Sequence, residues 1–126
     1  HPFLKGGGKI INLASSSALR ADSEGYGAYA AVKEAIRALS RTAAVEWGPD
    51  SILVNCIMPL AKSTGMEWWM NERPEEAAEF VKTIPLGRVG DCKDDIGEAV
   101  CHLLSEGMSY ITGSTIMIDG GQAFLR

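Results

Sequence analysis

An α/β fold built on a parallel sheet is what this 126-residue sequence predicts. Three observations carry that expectation. Short apolar strands alternate with longer amphipathic segments, the second strand is apolar almost throughout, and glycine or proline marks nearly every junction. A strand without polar alternation suits burial on both faces, the usual condition of a parallel sheet. The order β-α-β-α(α)-α-β then calls for right-handed crossovers.

Taken in order, residues 9–14 (Lys-Ile-Ile-Asn-Leu-Ala) read as the first strand, after the loop Gly6-Gly7-Gly8 and before Ser15-Ser16-Ser17. Residues 20–25 are polar and read as a loop. From about Tyr26 the pattern becomes helical, with Val32, Ile36, Leu39 and Ala43 at three- and four-residue steps forming the expected buried face. Gly48-Pro49 should end this helix, the glycine taking a left-handed cap. Residues 52–57 form the second strand and 58–65 a loop. Residues 66–83 read as one or two short helices, with Pro74 in a first turn ahead of Glu75 and Glu76. Pro85-Leu86-Gly87 breaks the chain. A helix is expected over about 93–104, with Ile96, Val100 and Leu103-Leu104 on one face and Asp94, Asp95 and Glu98 near its positive end. The last strand is 115–118, and Asp119-Gly120-Gly121 turns out of it.

Composition narrows the function classes. The sequence is 46% hydrophobic and 22% charged, as in ordinary globular proteins, and 12 Lys+Arg against 16 Asp+Glu give a net charge of −4. With no basic stripe, nucleic-acid and anionic-membrane partners lack electrostatic support. Charged residues interrupt every apolar run short of the roughly 18 residues that a membrane span needs, and no secretion-signal pattern is present. Cys56, Cys92 and Cys101 are odd in number and form no CxxC pair, which points to a reducing, cytoplasmic setting. His1 and His102 lack partners at ligand spacing, so no metal site is expected.

The chemistry centres on Tyr29 and Lys33. Four helical residues make about 400° of rotation and about 6 Å of rise, so both side chains leave one face. An ammonium beside a phenol favours the phenolate, and such a tyrosine can exchange a proton with a carbonyl or alcohol oxygen. Alone the pair is weak, since three Tyr and six Lys would produce it by chance in roughly 14% of such sequences. Its surroundings strengthen it. The serine cluster lies at the carboxyl end of the preceding strand, where open α/β sheets bind ligands. A hydroxyl there could donate to the oxygen that Tyr29 protonates; the competing reading is a serine-rich turn or helix cap. The loop from Met58 to Thr64 would face the same crevice.

Gly8-Lys9-Ile10-Ile11-Asn12-Leu13-Ala14-Ser15, Tyr29-Ala30-Ala31-Val32-Lys33 and Val54-Asn55-Cys56-Ile57-Met58-Pro59 together resemble the second half of a short-chain dehydrogenase/reductase. Ile84-Pro85-Leu86-Gly87-Arg88, Tyr110-Ile111-Thr112-Gly113 and Asp119-Gly120-Gly121 extend the likeness over nearly the whole chain. The resemblance implies the C-terminal half of a doubly wound, Rossmann-type parallel sheet, three strands with flanking helices, across residues 1–126. It implies that Tyr29 is the general acid/base, and that Lys33 tunes it and holds the nicotinamide ribose. The substrate-orienting serine is open. Counting from Asn12 selects Ser15 and counting back from Tyr29 selects Ser16; a one-residue insertion near Glu24 reconciles the first count, and Ser15 is preferred. Pro59, Leu60, Lys62 and Thr64 match a loop along the nicotinamide and pyrophosphate, with Leu60 where the family usually has glycine. Residues 60–84 match a lid over the substrate, on which Met66, Trp68 and Trp69, with Met70 and Phe80, suggest an apolar substrate.

The family's Thr-Gly-x-x-x-Gly-x-Gly fingerprint is not among these residues, because Gly6-Gly7-Gly8 precedes a strand instead of following one. Neither is the residue that separates NAD from NADP, nor the asparagine that completes the family's catalytic set. An intact protein of about twice this length is therefore expected, with this stretch its catalytic half and the isolated fragment inactive. The function expected by resemblance is NAD- or NADP-dependent interconversion of a secondary alcohol and a ketone, in a homodimer or homotetramer. The alternative is a non-catalytic nucleotide-binding or oligomerisation module that keeps the scaffold.

Overall fold

Apolar residues at every second position of 52–58 make the centre of the molecule. In the computed structural model, which describes residues 1–19 and 25–123, they lie on strand β2 (Leu53–Pro59), between β1 (Lys9–Leu13) and β3 (Thr115–Ile118). Both pairings are parallel, with Ile11 opposite Asn55 and Ile57 opposite Ile116. The expected parallel three-stranded sheet is present. β2 runs two residues beyond the sequence reading because Met58 and Pro59 pair with Met117 and Ile118.

One face of the sheet is covered by α1 (Gly27–Trp47). Ala43, Ala44, Ile52 and Val54 pack with Ile10 and Trp47, while Ala14, Cys56 and Met58 pack with Ile36 and Met117. The buried stripe of α1 is thus Ile36, Ser40, Ala43, Ala44 and Trp47. The expected stripe was partly misplaced: Val32 and Leu39 are 58% and 66% exposed. Two overlapping stripes of α1 are apolar, and contact with β2 selects the one holding small residues, which lets the backbone approach the sheet. Within it the Asn12 amide donates to Ser40 Oγ at 2.9 Å, and Ser40 donates to the Ile36 carbonyl at 2.7 Å.

Helix α1 also ends differently from expectation. Gly48 stays right-handed at φ −54°, the chain continues through a 3-10 turn at Gly48–Asp50, and Ser51 takes the left-handed conformation at φ 59°. Proline is compatible with a first turn, so Pro49 tightens the helix end and defers the reversal by three residues.

The opposite face carries the second wall. Residue parity turns Lys9 away from α1, and its Nζ donates to the Leu104 and Ser105 carbonyls at 3.0 and 2.9 Å, capping the C-terminus of α4 (Glu98–Leu103). On the same face buried Asn55 donates to the Ile111 carbonyl at 2.7 Å and accepts from Ser114 N–H at 3.1 Å. Helices on both faces of a parallel sheet make the doubly wound arrangement.

Two further helices, α2 (Thr64–Glu72) and α3 (Pro74–Lys82), follow β2. Ser63 caps α2 by accepting Met66 N–H at 3.3 Å, and Pro74 opens α3 as expected. The segment expected as one helix over 93–104 begins instead as a π-helical turn at Cys92–Gly97. Its cap is Asp91, which accepts Lys93 and Asp94 N–H at 2.7 and 2.8 Å. Leu104, expected on the buried face, is exposed. The loop expected around 20–25 and the insertion near Glu24 fall on residues 20–24, outside the described residues. No helix among the described residues is long and apolar enough to cross a membrane.

Candidate active site at the carboxyl ends of β1 and β2

The side chains singled out from the sequence gather at the carboxyl end of β1. Lys33 projects from the second turn of α1, and its Nζ donates to the Leu13 carbonyl at 3.0 Å. The same ammonium lies 5.5 Å from the centroid of the Tyr29 ring, close enough for a cation–π contact. Tyr29 also meets Tyr26 edge-on, with centroids 6.1 Å apart. The i,i+4 reading of one shared face therefore holds. β1 ends at Leu13, and two residues later Ser15 Oγ accepts Ser17 N–H and donates to Ser17 Oγ, both at 3.2 Å. Ser15 thus caps the 3-10 turn Ser16–Leu19, the bland role weighed for it. Neither Ser15 nor Ser16 is hydrogen-bonded to Tyr29 among the described residues.

Tyr29 is 45% exposed, and among the described residues the clefts beside Gly120 and beside Met70 are not lined by Ser15, Tyr29 or Lys33. Among the described residues β1 is the outer strand of the sheet, and the group lies at its carboxyl end. Beneath it Cys56 is fully buried, and desolvation raises its thiol above the ordinary range, leaving a small packing residue and no nucleophile.

The loop after β2 forms the second side. Leu60 N–H donates to the Ile118 carbonyl at 2.9 Å, and Leu60 accepts from Gly90 N–H at 3.3 Å. Lys62 N–H donates to the Gly90 carbonyl at 2.8 Å. Leu60, the residue in the usual glycine position, keeps a negative φ, so no left-handed conformation is demanded of it. Thr64 and Gly65 open α2 with N–H groups that have no partner among the described residues, and nothing lies within 4 Å of a Cβ built at Gly65. Free N–H groups at a helix N-terminus suit an anion such as a pyrophosphate. With the ammonium of Lys33 available for a ribose hydroxyl, the donor set fits a nicotinamide dinucleotide.

On the expected lid, Trp69 and Phe80 pack edge-on at 5.7 Å and join α2 to α3, which makes them packing residues. Met66 and Met70 are half-buried, while Trp68 is 66% exposed. Sequence reasoning missed Gly90, Arg88 and Asp95. Arg88 holds Asp95 through two bonds of 2.5 and 2.8 Å, and this guanidinium, with Asp91 N–H at 2.6 Å, keeps the Asp95 carboxyl far below its usual range. An Arg seven residues before an Asp leaves no periodic signal.

The likeness to known proteins covers the same residues. Residues 1–123 match the family model for enoyl-(acyl carrier protein) reductase. A 12alpha-hydroxysteroid dehydrogenase from Clostridium sp. is 41% identical over 122 residues, 96% of this chain and 47% of that protein. Among solved structures, a short-chain type dehydrogenase/reductase from Mycobacterium ulcerans superposes with a TM-score of 0.82 at 30% identity, covering 93% of this chain and 42% of the other. The Pseudomonas aeruginosa RhlG/NADP active-site complex matches with a TM-score of 0.77 at 31% identity, covering 90% and 46%. The chain thus spans about half the length of the curated relatives it matches. Sequence, topology and the grouping of Tyr29 with Lys33 agree: the chain belongs to the short-chain dehydrogenase/reductase family.

Proposed function

We propose that these residues form the catalytic half of an NAD- or NADP-dependent oxidoreductase that interconverts a secondary alcohol and a ketone. One observation carries the reading: the Lys33 ammonium lies between the Leu13 carbonyl, at 3.0 Å, and the Tyr29 ring, at 5.5 Å to its centroid. In carbonyl reduction, Tyr29 donates its hydroxyl proton to the substrate oxygen, and in oxidation the phenolate takes it back. Ser15, or Ser16, donates a hydrogen bond to that oxygen and orients it; for Ser15 this means exchanging its bond to Ser17 for one to substrate. When bound, the nicotinamide supplies or accepts the hydride. Tyr29 and Lys33 would hold its ribose, and Pro59, Leu60, Lys62, Thr64 and the α2 N-terminus the nicotinamide and pyrophosphate side.

Residues 60–84 act in this reading as the substrate lid, with Met66 and Trp68 favouring an apolar alcohol or ketone and Trp69 holding α2 against α3. The 12alpha-hydroxysteroid dehydrogenase supports that substrate class by likeness. The exposed apolar stripe of α1, through Val32 and Leu39, suits a homodimer or homotetramer contact. Three free cysteines suit a reducing, cytoplasmic compartment.

Tyr29→Phe in the full-length protein tests the reading. Turnover should fall about 10²–10⁴-fold, while nicotinamide dinucleotide is still bound, weakened at most by the loss of one hydroxyl contact, and the melting midpoint stays unchanged. Unchanged turnover overturns the mechanism. A wild-type protein that binds dinucleotide but turns over no alcohol or ketone favours the scaffold-only alternative.

A further inference from the structure

The corner that anchors the loop after β2 is made by residues remote from Tyr29. A Cβ at Gly90 would lie 2.9 Å from the Leu60 carbonyl oxygen, a distance that only the absence of a side chain permits. Because of that approach, Leu60 and Lys62 exchange backbone hydrogen bonds with Gly90 at 3.3 and 2.8 Å, and Ala61 pairs with it in a parallel bridge. Gly90 is held from behind. Arg88 grips Asp95 with both guanidinium nitrogens, and Asp95 also accepts Asp91 N–H at 2.6 Å, which ties residues 88–91 to the turn leading into α4. On the other side Leu60 N–H is fixed to the Ile118 carbonyl at 2.9 Å. One residue beyond Lys62, Ser63 caps α2. The position of Gly90 therefore sets the position of residues 60–62 and of the free N–H groups that open α2.

We propose that Gly90, with the Arg88–Asp95 pair behind it, positions this loop for the nicotinamide side of the dinucleotide, so that these three residues govern cofactor affinity without touching the cofactor. The proposal rests on the dinucleotide reading above. They are positioning residues, and their signature is selectivity between the two halves of the ligand. A displaced loop weakens contacts to the nicotinamide and its pyrophosphate oxygens and leaves adenine-side contacts intact.

The test uses the full-length protein and its Gly90→Ala and Asp95→Asn variants. NADH and NADPH binding is followed by nicotinamide fluorescence, and that of AMP and adenosine 2′,5′-bisphosphate, which lack the pyrophosphate bridge, by calorimetry. The expected result is an increase of about tenfold in the dissociation constant of the preferred reduced dinucleotide, with the matching adenosine phosphate unchanged. Asp95→Asn keeps an acceptor for Asp91 N–H and removes the charge facing Arg88, so it provides the measurement if Gly90→Ala does not fold. Equal weakening of both ligands would make the corner merely structural and overturn the proposal, as would unchanged binding of both. Wild-type protein that binds neither reduced dinucleotide overturns the dinucleotide reading itself, and this proposal with it.

Discussion

At the rim of β1, Leu13, Tyr26 and Tyr29 are each about half exposed, at 54%, 46% and 45%, and a single ammonium holds the group together. At the corner where β3 meets the 84–90 segment, side chains and backbone are locked from several directions. Gly120 sits at φ 66° with Ile84 Cγ2 2.9 Å from where a Cβ would be, and Pro85 stands 3.1 Å from the same point on Gly121. Buried Asp119 accepts Gly121 and Ala123 N–H at 3.0 and 2.8 Å, and Leu86 N–H donates to the Gly120 carbonyl at 3.2 Å. The contrast is one of support. Among the described residues the rim rests on few bonds, whereas the corner is held by buried Asp119 and by several backbone bonds.

The same substitution made in both regions exposes the difference. Gly120→Ala meets a left-handed backbone and a close side chain together, and should cost about 2–4 kcal/mol. Gly27→Ala, in the first turn of α1 with nothing within 4 Å and no positive φ, should be neutral or stabilise by less than about 1 kcal/mol. Denaturant midpoints of the two variants measure this. Equal effects would erase the distinction between the regions.

A smaller effect is expected where the two styles meet, at the seam of β1 and α1. Ser40 is buried and serves both as acceptor for Asn12 and as donor to Ile36. Ser40→Ala leaves the Asn12 amide without a partner in a half-buried position, at a cost of about 1–2 kcal/mol. If urea denaturation shows less than a few tenths, Asn12 has found another acceptor and the seam is looser than its geometry implies.

How much of this was legible depended on how local the cause is. The breaks at Pro74, Pro85-Leu86-Gly87 and Asp119-Gly120-Gly121 were readable because glycine and proline act on their own backbone. So was the shared face of Tyr29 and Lys33, which follows from helical pitch alone. Which apolar stripe of α1 turns inward was not, since Val32 and Leu39 fit the period as well as Ile36 and Ala43 and only the approach to β2 decides. The Gly90 contact was invisible for the same reason: it joins residues 30 apart in sequence, Leu60 and Gly90, through backbone atoms that every residue type possesses. Asp91 was the missed signal that sequence could have supplied, because an Asp just before a helical turn is a preferred N-cap. The acidic run 94–95 was instead credited with the helix dipole, whereas Asp95 is spent on Arg88.

That ion pair offers the finest discrimination between rim and corner, through pH. The folded state holds the Asp95 carboxyl below its ordinary range, chiefly by the hydrogen bonds from Arg88 and Asp91 N–H. A carboxylate depressed in the folded state contributes stability that is fully present above its unfolded value. The contribution disappears as pH falls through the acid range toward the folded value, where the proton displaces Arg88. Wild type should therefore melt higher than Asp95→Asn at pH 7, and the two curves should converge as pH is lowered below the ordinary carboxylate range. The pair is solvent-accessible, so added salt should narrow the gap at neutral pH. Tyr29→Phe, at the rim, should run parallel to wild type across the same acid titration. A gap for Asp95→Asn that stays constant to low pH would mean that packing of the Asp95 side chain, and not its charge, ties Arg88 and Gly90 together.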